Sequence, residues 1–190
     1  MIPNIKRLLD CFRETGSAVV FTAVGSPNKD GSDLPCWLRM FDQIGLATLG
    51  TRIWPAIDDP SWEIDAALQP EPGEMILNKL SAGTFTTTDL EQRLRNQGIE
   101  AVVVTGVATD VCVSTTAREA ADRNFKVVVV SDACTTLSDQ LHGNNLKTLQ
   151  VFGYVRTANE VIQEVVGAVP AAQPQIGADP QSRSAAGAEV

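Results

Sequence analysis

Apolar positions recur at helical spacing from the first residues of the chain. Ile5, Leu8, Leu9 and Phe12 share one face over residues 2–15, Pro3 falls in the first turn, and Gly16 is a natural C-terminal stop. The pattern then changes to a short β-branched run, AVVFTA (18–23), which predicts a buried strand. Residues 24–36 (VGSPNKDGSDLPC) are loop by composition. Residues 37–72 hold all three tryptophans, and 35–72 hold five of the ten prolines; their weak periodicity predicts an irregular insertion with short helical pieces. From Pro72-Gly73 the pattern sharpens. EMILNK (74–79) reads as a strand, Thr88 to Gln97 as a helix stopped at Gly98, and AVVVTG (101–106) as an apolar strand of the type buried on both faces in a parallel sheet. Thr109 or Asp110 is placed to cap a helix running to Asn124, and KVVVVSD (126–132) is a further strand. A helix follows over about Ser138–Phe152, and Thr157-Ala-Asn-Glu160 is a capping box that opens a last short helix. Strands alternating with helices predict an α/β fold of three layers, α/β/α, with a mainly parallel, Rossmann-like sheet. The domain is expected over 1–166. From Gly167 to residue 190 the chain lacks periodicity and large apolar residues, which predicts a disordered C-terminal tail.

Composition narrows the function classes. The chain has 190 residues, 15 Lys+Arg against 23 Asp+Glu and a net charge of −8, so duplex nucleic acid and anionic membrane surfaces would repel it at long range. No apolar run approaches the roughly 20 residues needed to cross a bilayer. MIPNIKRLLD lacks the uninterrupted apolar core of a secretory signal, so a cytoplasmic protein is expected, with no nucleic-acid or membrane partner. Four scattered cysteines (Cys11, Cys36, Cys112, Cys134), without a C-x-x-C, do not make a disulfide scaffold. The one histidine, His142, excludes a His-rich metal site. No metal or other cofactor is expected, His142 should be dispensable, and activity should survive chelation.

In an open parallel sheet, ligands bind at the carboxyl ends of the strands. VVVTGVATDVCVSTTAREAADR (102–123) runs from a strand through Gly106 into a helix and puts Cys112 in the first turn, where the helix dipole and free N–H groups favour a thiolate. The alternative is a small core hydrophobe between Val111 and Val113. Lys79 ends the strand EMILNK and so either projects from a second carboxyl end or is an ordinary solvated lysine. Asp132 ends a third strand, where a cap or turn role competes with catalysis, and Asp110 is most simply a first-turn carboxylate.

The segment GVATDVCVSTTAREAADRNFKVVVVSDACTT (106–136) resembles the nucleophile region of the isochorismatase-like cysteine hydrolases, which include nicotinamidases, N-carbamoylsarcosine amidohydrolase, and ureidoacrylate and biuret hydrolases. The likeness extends back through NKLSAGTFTTTDLEQRLRNQGIEAVVVTG (78–106) and IPNIKRLLDCFRETGSAVVFT (2–22) and covers about residues 2–165. It implies a Cys–Lys–Asp triad with Cys112 as nucleophile and Lys79 as its lysine. It also implies a non-proline cis peptide between Val107 and Ala108, and an oxyanion hole made by the backbone N–H groups of Ala108 and Cys112. Phe85 and Thr109 are further candidates for substrate contact. The family's aspartate lies in a first strand upstream of the I-P-N-I helix, and here Met1 stands directly before Ile2-Pro3-Asn4-Ile5. The carboxylate would then come from residues upstream, from a substitute such as Asp110 or Asp132, or from nowhere. The loop GSPNKDGSDLP (25–35) has no histidine for the metal that nicotinamidases bind, and SAGTF (81–85) departs from the commoner S-A-F near Phe85. Cys11, Cys36 and Cys134 read as structural.

The resemblance implies a hydrolase of a C–N bond in a small linear amide, ureido or carbamoyl compound, acting through a thioester and working as a homo-oligomer, a dimer or tetramer. The alternative is a catalytically impaired relative that serves as a binding or oligomer subunit. Vinyl-ether hydrolysis of isochorismate has no recognisable pocket residues here.

Overall fold

The computed structural model describes residues 1–168. Helix α1 (Ile2–Glu14) precedes strand β1 (Val20–Val24), α2 (Cys36–Leu49), β2 (Met75–Lys79), α3 (Leu90–Asn96) and β3 (Ala101–Val107). A π-turn (Thr109–Val113) leads into α4 (Ser114–Asp122), followed by β4 (Lys126–Thr135), α5 (Asp139–Leu149), β5 (Tyr154–Arg156) and α6 (Ala158–Ala168). Helix α6 runs through Gly167 and Ala168, past the expected domain end at 166; the rest of the expected tail, 169–190, lies outside the described residues.

Strand pairing is parallel throughout. β1 lies beside β2 in the register Val20↔Met75 to Val24↔Lys79, and β4 lies between β3 and β5. Val127 and Val129 of β4 pack with Leu90, Leu94, Ala117, Ala120 and Phe125. Val130 and Ala133 pack with Leu8, Ala158 and Val161, and Val128 joins the rim of that second cluster. Alternation along one strand thus feeds two cores: α3 and α4 cover one face of the sheet, α1 and α6 the other. This is the three-layer α/β architecture. Among the described residues, no helix is long and apolar enough to cross a membrane.

The sheet is interrupted, however. β1–β2 form one hydrogen-bonded sheet and β3–β4–β5 another. A cavity of about 470 Å³ opens between Gly16, Ser17 and Ala18, which lead into β1, and Gln97, Ile99 and Ala101, which lead into β3. The two parts share a core: Val20 and Leu77 pack against the same cluster as Val102 and Val104. The interruption corrects the expectation that β3 is buried on both faces. Its interior residues are half-buried and its end residues, Ala101 and Val107, are exposed, whereas β4, with a neighbour on each side, buries Val127, Val129 and Val130 to 2%, 1% and 0% exposure. β4 also runs three residues beyond the expected Asp132, because its register against β3 shifts between Val104 and Gly106, where Gly106 takes φ 110°.

Residues 36–49 correct a second expectation, since they form a regular 14-residue helix, α2. Leu38, Asp42 and Gly45 face inward, but Trp37, Met40, Phe41, Ile44 and Leu49 stay exposed, and apolar residues on both faces erase the helical period. Gly50, in the left-handed conformation (φ 70°), ends the helix. Buried Asp42 accepts from Nε and Nη2 of Arg52 and from the N–H groups of Ile53 and Trp54, so its charge is fully partnered as it holds the chain after α2. The rest of the insertion is irregular as expected, with single turns at Pro60–Trp62 and Ala66–Leu68 capped by Asp59 and Asp65.

Arg13 at the end of α1 donates from Nε and Nη2, both at 2.8 Å, to the two carboxylate oxygens of Glu74, just before β2. The guanidinium holds the Glu74 carboxyl below its ordinary value of 4.5. A carboxylate stabilised in the folded state contributes fully above that ordinary value, and the contribution is lost as pH falls through the lowered one. Glu74→Gln should therefore destabilise the protein near neutrality by about 1–3 kcal/mol. The difference from wild type should shrink below about pH 4.5. Urea melts at pH 7 and pH 3.5 measure it, and an equal difference at both pH values would exclude the ion pair as its source.

Candidate active site

Lys79 closes β2 and is only 3% exposed, which removes the reading of a solvated lysine. Its Nζ donates to the carbonyls of Ser81 (2.8 Å) and Ala82 (2.7 Å) and to Sγ of Cys112 (3.3 Å). An ammonium group has three donors, and all three are used. No carboxylate is among these partners. The lysine's position follows from the strand period, since the last residue of a parallel strand reaches the edge where the next connections begin.

Cys112 sits in the π-turn that joins β3 to α4. The Val107–Ala108 peptide before it is cis. The Ala108 carbonyl accepts the N–H groups of both Val111 and Val113, each at 3.1 Å, which curls the turn tightly around the nucleophile position. Ala108 is the N-cap and no side chain caps the turn, so neither Thr109 nor Asp110 has the capping role expected of it. Their side chains reach elsewhere: the Thr109 hydroxyl meets Nδ1 of His142 at 2.9 Å, and the Asp110 carboxylate accepts from the Thr136 hydroxyl. Asp132 is also committed, because its carboxylate accepts the Ala158 N–H at 2.7 Å and so anchors the start of α6. The expected capping box closes beside it, with the Thr157 N–H on the Glu160 carboxylate (2.7 Å) and the Glu160 N–H on the Thr157 hydroxyl (3.3 Å).

The four thiols differ sharply. Cys11 and Cys134 are buried, Cys36 is exposed and Cys112 is half-exposed. Burial pushes the Cys134 thiol up to about 12, and burial together with Glu14 raises that of Cys11. Cys112 is thus an accessible thiol held against a buried cation.

Residues 80–89 connect the end of β2 to α3 and lie against α4. The Ser81 hydroxyl donates to the Gly83 carbonyl and meets that of Thr87, the Thr84 N–H donates to the Thr116 hydroxyl, and the Phe85 N–H donates to Glu119 at 2.9 Å. Gly83 lies so close to Glu119 that a Cβ there would fall 2.2 Å from the carboxylate. Glu119 and Thr116, three residues apart on α4, pin the segment that carries the two carbonyls on Lys79; their sequence signal is only that helical spacing. Phe85 is buried at 6% exposure against Phe125 (ring centroids 5.6 Å apart), with the Arg123 guanidinium over its face. Its expected place in the pocket wall is therefore corrected: its side chain packs into the core. Thr109, at 0% exposure, offers no surface to a substrate either.

Among the described residues, no group of three His, Cys, Asp or Glu side chains could hold a metal ion. In the loop 25–35, where nicotinamidases take theirs, Asp33 is engaged by the Ser26 hydroxyl. These residues do not fit that metal. A cleft of about 320 Å³ formed by the insertion, lined by Lys29, Arg52, Asp58 and Asp59 among others, includes neither Cys112 nor Lys79.

The chain is 28% identical over 177 residues to the uncharacterized isochorismatase family protein YwoC of Bacillus subtilis, covering 87% of this chain and 83% of that one. It is 28% identical over 183 residues to the ureidoacrylate amidohydrolase RutB of Rhizobium rhizogenes, covering 89% and 72%. The crystal structure of a cysteine hydrolase from Pseudomonas syringae pv. phaseolicola superposes with a TM-score of 0.75 at 29% identity, over 87% of this chain and 80% of that one. The model of the Isochorismatase domain matches residues 1–160, and the chain belongs to that family.

Proposed function

We propose that the chain is a cysteine-dependent hydrolase of a C–N bond in a small linear amide, ureido or carbamoyl compound. The observation that carries this reading is the 3.3 Å contact between Lys79 Nζ and Cys112 Sγ at adjoining strand ends. The amidohydrolase named among the relatives supports the bond type. The Cys112 thiolate attacks the carbonyl carbon and forms a C–S bond while the carbonyl π electrons move to oxygen. The backbone N–H groups of Ala108 and Cys112 receive that oxyanion, and such donors are worth about 3 kcal/mol each in other enzymes. The C–N bond then breaks, the leaving nitrogen takes up the proton that the Cys112 thiol gave up, and water adds to the thioester, its hydroxyl going to the acid and its other proton back to the sulfur. Lys79 balances the negative charge at sulfur. Self-association would cover the apolar outer face of α2, consistent with a homo-oligomer.

A second reading, an impaired family member, is favoured by two features: the interruption between β1–β2 and β3, and a buried Lys79 with no carboxylate partner among the described residues. With Asp110 held by Thr136 and Asp132 capping α6, neither is engaged as a substitute.

Ammonia release across a panel of amides, ureas and carbamoyl compounds tests the activity. Brief, limiting iodoacetamide with mass-spectrometric mapping tests the nucleophile. Cys112 should be labelled ahead of exposed Cys36, because the Lys79 ammonium 3.3 Å away balances the negative charge on sulfur as it attacks. Faster labelling of Cys36 would remove Cys112 from the nucleophile role.

A further inference from the structure

We propose that His142 is a positioning residue for Cys112, acting through Thr109 to hold the π-turn against Lys79; this rests on the nucleophile reading above. The two residues are 33 apart in sequence and meet at 2.9 Å, Nδ1 to Oγ1. Thr109 is the first residue of the turn and is fully buried. Its hydroxyl has no other side-chain partner among the described residues. A buried hydroxyl without a partner costs about 1–3 kcal/mol, so the imidazole and the turn are tied together. A hydroxyl can both donate and accept, so either imidazole tautomer makes the bond.

Leu146 and Leu149 seat the second half of α5 in the core, but its start has less apolar cover. Leu137 is 96% exposed and Leu141 42% exposed, so apolar burial does not seat this segment. Polar ties do the seating: His142 on Thr109, and Thr136, just ahead of α5, on Asp110. Both ties end on consecutive residues of the turn that carries Cys112. On the other side the turn is fixed by its own bonds to the Ala108 carbonyl, by Val113 in the core, by the Ser114 and Thr115 hydroxyls on the Val111 carbonyl, and by Lys79 on Cys112 itself, so the His142 tie is the one that reaches its first residue from α5. Losing the His142 tie frees the first residue of the turn, and a displacement of about 1 Å at a reacting group is enough to cost on the order of 10²-fold in rate. His142 is then not dispensable, contrary to the expectation from its place in the sequence.

The test is the second-order rate of Cys112 alkylation by iodoacetamide, mapped by mass spectrometry. It needs no knowledge of the substrate. His142→Phe and Thr109→Val should each slow Cys112 labelling about tenfold or more, and the double variant should be no slower than either single one. His142→Asn, which keeps a polar atom near the Nδ1 position, and Thr109→Ser should restore the rate to within about threefold of wild type. Buried Cys11 and Cys134 report folding in the same digest, because they stay unlabelled in any variant that keeps its core. Rates within twofold of wild type in His142→Phe and Thr109→Val, or effects that multiply in the double variant, would overturn the proposal. Failure of wild-type Cys112 to label first would overturn the nucleophile reading instead, so the two failures are distinguishable.

Discussion

Joining an apolar strand with an aspartate near its carboxyl end ahead of Met1 should raise C–N hydrolysis by this protein about 10²- to 10⁴-fold, the range that general acid–base help supplies. Two structural features lead to this expectation. β1–β2 and β3–β4–β5 are each parallel within themselves and have no ladder pairing with each other, and the entry to the interval is an open cavity beside Ala18 and Ala101. One parallel strand would satisfy the free ladder groups on both sides and cover the half-buried valines of β3. At the far end of the interval, Lys79 uses all its donors on two carbonyls and a sulfur. An ammonium group can stabilise negative charge on sulfur but cannot accept the thiol proton, so a carboxylate there supplies a proton acceptor that is not found beside Lys79 among the described residues. The same strand with asparagine in place of aspartate separates the two effects: it should raise the thermal midpoint as much as the aspartate strand and leave the rate low. If the 190-residue chain already turns over a substrate at the rate of the extended one, the acid–base argument is wrong.

Lys79→Met should lower the rate of Cys112 alkylation by about 10²-fold. A unit cation about 3.3 Å from a thiolate is worth about 5 kcal/mol at an effective dielectric of about 20, before the desolvation of both partners is deducted. Methionine fills a similar volume without charge, so the pocket at the end of β2 stays packed. Global stability should change little, because the cost of burying an ammonium disappears together with its bonds. The carbonyls of Ser81 and Ala82 lose their donor, but Thr116 and Glu119 still hold the 80–89 segment to α4. Lys79→Arg should fall between the two, since a planar guanidinium keeps the charge but not the three-way geometry. An unchanged alkylation rate in Lys79→Met would mean that the Lys79–Cys112 contact has no electrostatic consequence.

Sequence reading was most reliable where the deciding interaction lies within one element or between adjacent ones. The apolar face of α1 and the Thr157–Glu160 capping box follow from hydrogen bonds closed a few residues apart, and the valine run of β4 from burial of both its faces between the helix layers, so each leaves a period, a motif or a run in the chain. Cys112 and Lys79 were legible for a related reason. Each stands where a strand meets its connection, and parallel sheets gather those points along one edge. What the sequence did not carry depends on which distant segments meet. α2 was hidden because both its faces are apolar, one against the core and one against solvent. Phe85 looked available to a ligand and instead packs on Phe125, 40 residues on in the chain, because the bonds from Phe85 and Thr86 to Glu119 and from Thr84 to Thr116 turn that segment toward the core. His142 and Thr109 carry no mutual signal at all, since their contact exists only once α5 has crossed over the π-turn. Local periodicity records the backbone's own hydrogen bonds, whereas side-chain partners across 30 or more residues are chosen by the packing of the layers, and that choice leaves no period to read.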